Sequence, residues 1–376
     1  MQTTIRRSAT AASAAAALIF LAGVAGCGSD DDAGGSGSSS GSSAPAYDTG
    51  AQTRAADWLA GQLDDGVARN RQYKYDDYSL TADIAFGLDT LDSHDQDVDA
   101  AATAVADHLK TYVAPGYGTL TSAGSAAKAL VLEEEADADT AGLVKTVSGT
   151  VTTGGPSKGR IADVLDPKSK KAVDYANTIG QSYAVEGLAE AESPLAESVT
   201  AFLLEQQCSD GWFRVTFTAD PKAKDQSCDG DPKATPDVDA TAFAALALES
   251  LDDPSADAKA ALAKAVAWLE SQQAADGSYT SASPKVANAN STGMAGWALG
   301  EAGETDPAGR AATWVAKHQV GCGPAAGAIA YDDTGLAQLR NKGITVATEG
   351  QVRLATAQAL PVLQWLPAGA AAEESC

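Results

Sequence analysis

The hydrophobic positions of this chain fall into two alternating helical patterns. The first is rich in Ala, Gly and Leu and is apolar around most of its circumference, as in Thr235–Leu251 (TPDVDATAFAALALESL). That stretch opens with Pro236, a residue type common at helix starts, and with Asp237 and Asp239, whose side-chain oxygens can accept bonds from free backbone N–H groups. Six such copies, aligned on the closing leucine, end at Leu88, Leu130, Leu188, Leu248, Leu299 and Leu360. Steps of 42 to 61 residues between them indicate a repeat architecture with loop insertions.

Amphipathic helices alternate with these copies. Each has one apolar stripe and one polar face, which is typical of surface helices. Their predicted ranges are Ala51–Leu63, Val98–Tyr112, 138–148, Leu195–Gln207, Ala256–Gln273 and Pro307–Gln319. Six inner and six outer helices predict an all-α (α/α)6 toroid, in which the N-termini of all inner helices gather at one mouth. Strand signals are few, and Trp212–Thr218 favours a short hairpin arm.

The first 46 residues lack this pattern. Residues 1–26 are typical of a bacterial lipoprotein signal peptide, because Arg6 and Arg7 precede an apolar stretch too short to span a bilayer. The segment ends in VAGC, which resembles the lipobox, where the signal is cut before the Cys and its sulfur receives acyl chains such as palmitate. Cys27 is therefore predicted to anchor the protein on the outer face of the cytoplasmic membrane. Residues 27–46 are Gly/Ser-rich and predict a flexible tether before a toroid domain at 47–376.

Charge and cysteine content narrow the possibilities further. The chain has 26 Lys and Arg against 50 Asp and Glu, a net charge of −24. Such acidity argues against nucleic acid and against charge-driven docking on anionic lipid, so the acyl chains are the expected membrane contact. Four cysteines remain after Cys27; of three possible pairings we favour Cys208–Cys228 and Cys322–Cys376. No cysteine spacing fits a zinc site, and with three histidines no metal or cofactor is expected.

Two turn motifs carry a family resemblance. Gln206–Trp212 (QQCSDGW) and Gln272–Tyr279 (QQAADGSY) resemble the QW repeat of squalene–hopene cyclases, and Asp237–Ala242 (DVDATA) resembles the cyclases' Asp-Val-Asp-Asp-Thr-Ala. The chain is thus similar to the terpenoid cyclase and protein prenyltransferase α/α-toroid superfamily (prenyltransferase and squalene oxidase repeats) over residues 47–364. The resemblance implies the fold, and Asp239 aligns with the cyclase proton donor. Ala240 stands where the cyclases have a second acid, so the acidic cluster is incomplete.

Other toroid families suggest other ligands. Protein prenyltransferases hold zinc with Asp, Cys and His, and this chain has no Cys at the start of an inner helix. Asn290–Ala295 (NSTGMA) resembles the inner-helix starts of cobalamin carriers, which favours a corrinoid, although their β-rich domain has no counterpart here and would have to be a partner. Clusters of Tyr and Asp at a mouth also suit saccharides, as in (α/α)6 polysaccharide hydrolases.

These observations predict a lipid-anchored toroid that binds a ligand or a partner at its mouth without catalysis. An enzyme of the terpenoid cyclase or carbohydrate-active type is the alternative, with Asp239 as the candidate acid. The ligand is expected to be neutral or cationic, such as a saccharide, an isoprenoid or a corrinoid, because the carboxylates at the mouth outweigh the helix dipoles. A transporter is a further candidate partner. The candidate ligand-binding residues are Tyr75, Asp76, Asp77, Tyr78, Asn177, Gln181, Asp237, Asp239, Asn290, Tyr331 and Asp332.

Overall fold

A computed structural model describes residues 46–370 as two concentric rings of helices. The inner ring consists of α2 (Tyr78–Asp89), α5 (Ala123–Glu135), α7 (Thr178–Glu190), α9 (Val238–Glu249), α11 (Ala289–Glu301) and α14 (Glu349–Ala359). The outer ring consists of α1 (Gly50–Ala60), α3 (Asp95–Asp107), α6 (Ala141–Ser148), α8 (Ala196–Glu205), α10 (Ala256–Gln272) and α12 (Thr305–Lys317). Each inner helix contacts the next, and α14 contacts α2, so the ring is closed. The predicted (α/α)6 toroid is confirmed.

Small residues set the spacing of the inner ring. A Cβ added to Gly293 on α11 would lie 2.4 Å from the Cα of Ala359 on α14, so only glycine permits these two helices to approach so closely. Most of the buried hydrophobic residues of the inner helices are Ala or Leu. The composition that distinguished the inner helices in the sequence is therefore the composition that lets six helices pack around one axis.

Glutamines fasten three of the outer helices to the next one in the ring. The side-chain amide of Gln207 donates to the carbonyls of Gly211 (2.9 Å) and Ala261 (2.8 Å), and so joins the end of α8 to α10. Gln273 joins α10 to α12 in the same way, through Gly277 and Pro307. Gln319 joins α12 back to α1, through Gly327 (3.1 Å) and Ala51 (2.8 Å). We call each of these glutamine links a clasp. Two clasps lie in the QW-like turns, and the clasp of Gln319 closes the outer ring.

Threonine side chains bind the loops to the inner helices, and their positions show how the repeats align. The Oγ1 atoms of Thr81, Thr241, Thr292 and Thr356 each accept a backbone N–H from the preceding loop. The first three lie seven residues before Leu88, Leu248 and Leu299. Thr356 lies seven residues before Leu363, so the alignment of the last copy on Leu360 is wrong by three residues.

Short strands and two further helices lie in the loops at the mouth. Strands β1 (Leu63–Asp64), β2 (Val67–Asn70) and β3 (Tyr75–Asp76) form an antiparallel sheet before α2, and β4 (Thr119–Thr121) pairs with β5 (Val164–Leu165). Helix α4 (Leu109–Val113) continues α3 after a break at His108, and α13 (Asp333–Lys342) lies between α12 and α14. The expected hairpin at 212–218 does not form, because Phe213 makes only isolated bridges, to Gln207 and Asp237.

A disulfide and the paired chain ends complete the ring. Cys208 and Cys228 are bonded as predicted and enclose the loop after α8. Tyr47 pairs with Pro367, so both ends of the described chain leave the ring side by side, at the end opposite the mouth. The predicted signal peptide, the tether up to residue 45, Cys27 and the Cys376 of the second predicted pairing lie outside the described residues. Among residues 46–370, no helix combines the length and the apolar character needed to cross a bilayer.

Candidate functional site in the lumen

The mouth is formed by the capped N-termini of the inner helices. Asp77, Ser122, Asn177, Asp237 and Asn288 each accept a backbone N–H from three residues ahead and so cap α2, α5, α7, α9 and α11. These side chains start helices because an oxygen atom at the N-cap replaces the missing backbone acceptor. One oxygen of each predicted candidate Asp77, Asn177 and Asp237 is thereby committed to the fold.

Each inner helix also has one stripe that stays partly exposed, and this stripe lines the lumen. The positions recur at spacings of three and four, and the residues between them are buried. A helix whose outer side is covered can expose such a stripe only toward the ring axis. The partly exposed residues of the three best-marked stripes are Asp83 and Phe86 on α2, Ile179, Tyr183 and Glu186 on α7, and Asp239, Phe243 and Leu246 on α9.

Aromatic rings meet across the lumen. Phe86 on α2 stacks with Tyr183 on α7, with ring centroids 5.7 Å apart, although α5 separates these two helices in the ring. Tyr183 in turn meets Phe243 on α9 at 5.6 Å. Trp297 on α11 is also partly exposed, and its Nε1 donates to Glu301 (3.0 Å). The lumen therefore presents the faces of several aromatic rings to whatever enters it.

Asp239 lies just inside the mouth, in the first turn of α9. The sequence suggested that Asp237 and Asp239 both cap this helix, but only Asp237 does so, through the N–H of Ala240 (2.8 Å). The Oδ1 atom of Asp239 is buried and has no hydrogen-bond partner among the described residues. Burial raises the pKa of Asp239 to about 6, against a lowering by Ser291 and with a further raising by Asp237. Asp239 is thus a weak acid that can hold a proton near neutral pH.

The one ammonium group in the described part of the lumen is already paired. Lys128 on α5 contacts Asp83 (Nζ to Oδ2, 2.8 Å) and donates to the carbonyl of Ser79 (3.0 Å). Its Nζ also lies 5.9 Å from the ring centroid of Tyr183. Burial lowers the pKa of Lys128, but the charge and hydrogen bond of Asp83, with the charges of Tyr112 and Asp77, together outweigh it, so the net shift is upward and the group stays charged. This pair leaves the middle of the lumen without net charge.

Carboxyl groups collect at the far end of the lumen from the mouth. Glu134 has a buried Oε1 atom without a partner among the described residues. Burial, followed by the charges of Glu190, Glu186 and Glu135, raises the pKa of Glu134 to about 9. Burial also raises the pKa of Glu301, which accepts from Trp297. The lumen is therefore lined by aromatic rings between carboxyl groups at both ends.

The structure separates the candidate residues predicted from sequence. Tyr78 stacks on His108 (5.3 Å) and is 7% exposed, so its ring belongs to the packing between α2 and the end of α3. Gln181 is fully buried, donates to the carbonyls of Gly159 and Val199, and accepts from the N–H of Ile161. Both side chains are engaged in the fold, and their role in ligand binding stays a prediction; Gln181 stands where four of the other five repeats have threonine.

The other candidates lie around the rim. Tyr75 is exposed, and its hydroxyl contacts Asp77 (3.1 Å). Asp76 faces Arg69 (3.6 Å) at a groove of about 500 Å³ outside the ring, which Asp64, Asp99 and Asp107 also line.

Asn290 points across the lumen wall to Gln358 on α14 (2.6 Å) and does not cap α11, which Asn288 does. Tyr331 receives the N–H of Ala289 on its carbonyl, and Asp332 caps α13. Of the candidates, only Asp239 is an unsatisfied group inside the lumen.

The residues that sequence reasoning missed are those of the lumen stripe. Phe86, Tyr183, Phe243 and Trp297 each precede the closing leucine of their copy by two or five residues. Those offsets fall on one helix face, so comparison of the copies position by position would have shown an aromatic stripe. Among residues 46–370, no three His, Cys, Asp or Glu side chains are placed to hold a metal ion.

The charge of the mouth differs from what the sequence suggested. The six segments that lead from an outer to an inner helix are 61–77, 108–122, 149–177, 206–237, 273–288 and 318–348, and they hold sixteen Lys or Arg and sixteen Asp or Glu. The described chain as a whole holds 24 basic and 45 acidic residues, so the excess of acid lies on the helices and at the other end. The mouth is therefore balanced in charge, and the expected net negative mouth is not found.

Comparison with known proteins supports the fold and no more. No family model matches the chain, and no curated protein matches it in sequence. The type II terpene cyclase MstE from Scytonema has a similar structure, with a TM-score of 0.57 and 15% identity over 84% of this chain and 96% of that chain. A protein from Actinoplanes is similar with a TM-score of 0.56 and 18% identity over 84% and 98%. An unsaturated glucuronyl hydrolase specific for heparin is similar with a TM-score of 0.58 and 10% identity over 84% and 95%. The chain thus has the α/α-toroid fold that cyclases and polysaccharide-degrading enzymes share.

Proposed function

We propose that this protein is a binding protein that holds an organic cation with an apolar body in its lumen. The observation that carries the proposal is the row of Phe86, Tyr183 and Phe243, whose partly exposed rings touch across the lumen between carboxyl groups. Ring faces attract cations, and the attraction is strongest where water is excluded. Lys128 does not compete, because Asp83 neutralises it.

The carboxyl groups supply hydrogen-bond acceptors, and Asp239, with a pKa of about 6, also supplies the matching negative charge at neutral pH, whereas Glu134, with a pKa of about 9, is protonated in the free protein. Asp239 near the mouth and Glu134 at the far end each have a buried oxygen without a partner among the described residues. A buried acceptor without a partner destabilises the free protein, and a ligand that donates to it or brings a positive charge relieves that cost. Anionic ligands, such as prenyl diphosphates, are repelled by carboxylate charge and are not attracted by the ring faces, so we expect that they do not bind.

Calorimetric titration of matched ligands tests the proposal. We expect choline and spermidine to bind, and the uncharged tert-butyl analogue of choline to bind at least about tenfold more weakly, because it lacks the charge that the rings and carboxyls recognise. Phe243→Leu should weaken choline about 3- to 30-fold, and Tyr73→Leu on the rim should not. Asp239→Asn should also weaken binding, whereas Asp257→Asn on the outer surface serves as its control. Equal affinity for the charged and uncharged analogues would contradict the proposal.

A second candidate function rests on Asp239 itself. Its place in the DVDAT start of α9, its buried Oδ1 atom and its pKa of about 6 favour an acid that protonates an alkene. The carbocation formed would gain stability from the aromatic rings, would close a ring by attack of a second double bond, and would end by losing a proton. Ala240 is buried where the cyclases carry another acid, so no neighbouring carboxyl assists.

Product analysis separates the two functions. The enzyme candidate requires a cyclised product from an isoprenoid such as geranylgeranyl dihydroxybenzoate, which is bound in a solved structure of MstE. That product should disappear in Asp239→Asn and persist in Asp257→Asn. Recovery of the isoprenoid unchanged from the unaltered protein would exclude this candidate and leave the binding function.

We also propose that the protein is exported and held at the outer face of the membrane through Cys27. The support is the VAGC sequence at 24–27 after a short apolar stretch. Cys27→Ser should move the protein from the membrane fraction to the soluble fraction of cells treated with high salt. Retention in the membrane fraction would contradict lipid attachment at Cys27.

A further inference from the structure

Nearly all exposed large hydrophobic side chains lie on one face of the toroid. Ten such residues are exposed in residues 46–370, and nine of them belong to the segments that lead into the inner helices, that is, to the mouth face. The nine are Tyr73, Tyr75, Tyr117, Leu120, Val164, Val173, Tyr175, Val286 and Val346. Single exposed apolar residues are ordinary, but their confinement to one face of an acidic protein indicates a contact surface.

Five of these residues form one patch. Strand β4 pairs with β5, and the backbone of Gly118 lies against Ser169 and Ala172, so the segments around 117–121 and 164–175 are adjacent. Asp163 ties them to α5 and to Tyr175 by accepting the N–H groups of Ala123 (2.8 Å) and Tyr175 (2.9 Å). We call this surface the β4–β5 patch; its apolar members are Tyr117, Leu120, Val164, Val173 and Tyr175, of which Tyr117 is 89% and Tyr175 74% exposed.

The same patch is basic in a protein that is otherwise acidic. Lys168, Lys170 and Lys171 are exposed beside Val173. The two segments 108–122 and 149–177 hold six Lys or Arg against three Asp. Asp174 pairs with Arg160 (2.7 Å), which leaves five basic residues against Asp163 and Asp166. Charges further away than about 8–10 Å are largely screened at physiological salt, so the acidic helices do not cancel this local positive charge.

We infer that the β4–β5 patch docks the mouth face on a bilayer that contains anionic phospholipid. Lysines gain from the negative surface potential of such a bilayer, and tyrosines favour the headgroup region. Leu120, Val164 and Val173 decide between a bilayer and an anionic polymer. A bilayer interface removes these aliphatic side chains from water, whereas a hydrated polysaccharide offers them no apolar surface. The net negative charge of the whole chain argued against such docking, but a net charge does not show that this one surface is basic.

The predicted lipid anchor permits this orientation. The described chain begins beside Pro367, at the end of the ring opposite the mouth. About 20 residues separate Cys27 from that point, and a chain of that length reaches at most about 70 Å. The inner helices rise only about 20 Å, so the anchor reaches past the ring when the mouth faces the bilayer. The docked toroid would thus open its lumen toward the membrane surface; this inference does not depend on what the lumen binds.

Vesicle co-sedimentation tests the inference with the mature chain, residues 27–376, carrying Cys27→Ser so that no acyl chain contributes. We expect binding to vesicles of phosphatidylcholine and phosphatidylglycerol in equal parts, and weak binding to phosphatidylcholine alone. Combined Lys168→Glu, Lys170→Glu and Lys171→Glu should lower the partition constant about tenfold or more. The matched control carries Lys259→Glu, Lys264→Glu and Lys317→Glu on α10 and α12, the same change of charge on the outer wall, and should stay within about twofold of the parent.

A second variant separates a bilayer from an anionic polymer surface. Leu120→Ser with Val173→Ser should also lower the partition constant several-fold, while the urea unfolding midpoint stays unchanged because both side chains are exposed. Three results would overturn the inference: no binding to either vesicle, equal loss in the patch and control charge variants, or loss in the charge variant with none in the apolar variant. The last result would assign the patch to an anionic polymer.

Discussion

Gly327→Ala should open the outer ring at the clasp between α12 and α1. Gly327 has φ +94, and a Cβ there would lie 2.1 Å from the carbonyl oxygen of Arg54 on α1. The left-handed backbone costs an Ala about 1–2 kcal/mol. Moving α1 away would also weaken the hydrogen bonds that Gln319 makes with Ala51 and Arg54 of α1, each worth about 1 kcal/mol, and disturb the packing at Trp58. The sum is about 3–5 kcal/mol, a large part of the 5–15 kcal/mol that stabilises typical domains.

Gly116→Ala provides the matched control for this substitution. Gly116 also has φ +94, but no atom lies within 4 Å of the added Cβ, so only the backbone cost of about 1–2 kcal/mol applies. Urea unfolding of both variants, with midpoint and slope fitted separately, measures the difference. We expect Gly327→Ala to lose at least about 2 kcal/mol more than Gly116→Ala. Equal losses would refute the view that close contact at this clasp closes the ring.

Three further outcomes follow from buried groups. Asp83→Leu should lower the free energy of unfolding by about 3–5 kcal/mol, because it leaves the Lys128 ammonium buried without its partner. Adding Lys128→Met should restore most of this stability. A double-mutant cycle by urea unfolding measures the coupling, and no coupling would mean that the pair is solvated. Glu134 has a folded-state pKa of about 9, so its contribution to the free energy of unfolding is greatest below its unfolded-state pKa and is lost as the pH rises toward 9. Glu134→Gln should therefore stabilise the protein by about 1–3 kcal/mol at pH 8 but not at pH 4. An unchanged pH profile of the thermal midpoint would contradict this. Replacing Cys208 and Cys228 by serine should cost about 2–4 kcal/mol in equilibrium unfolding, and a negligible loss would mean that the loop is already fixed by the Arg214 contacts with Gln206 and Asp231.

The fold was readable from the sequence because it repeats. Six copies of one helical pattern report the same structure independently, so errors in one copy do not change the architecture. The last copy shows the limit, since its leucines at 360 and 363 offer two registers and only the bond from Ile329 to Thr356 distinguishes them. The disulfide between Cys208 and Cys228 was also readable, because the two cysteines flank one loop.

The site was less predictable because it depends on contacts between repeats. Sequence reasoning placed the ligand at the capping residues, but caps such as Asp77 and Asn177 use their oxygen atoms on their own helices. Tyr183 meets Phe86 and Phe243 only because three helices that are separate in sequence face one axis. Likewise, the net charge is a sum over the chain, and it gave no sign that sixteen of the 24 basic residues of the described chain lie at the mouth.

Because Tyr47 pairs with Pro367, the first and last described segments of the chain lie side by side, and the ring of helices is interrupted covalently at this one place. Three of the gaps between neighbouring outer helices are bridged by a glutamine clasp, and the gap that contains the chain ends is one of them, bridged by Gln319 without any covalent link. A chain whose ends are joined and which is cut instead at the exposed loop near Lys222 would make the same contacts in a different order. The toroid is therefore a candidate for circular permutation, in which the anchor could be moved to the rim of the mouth.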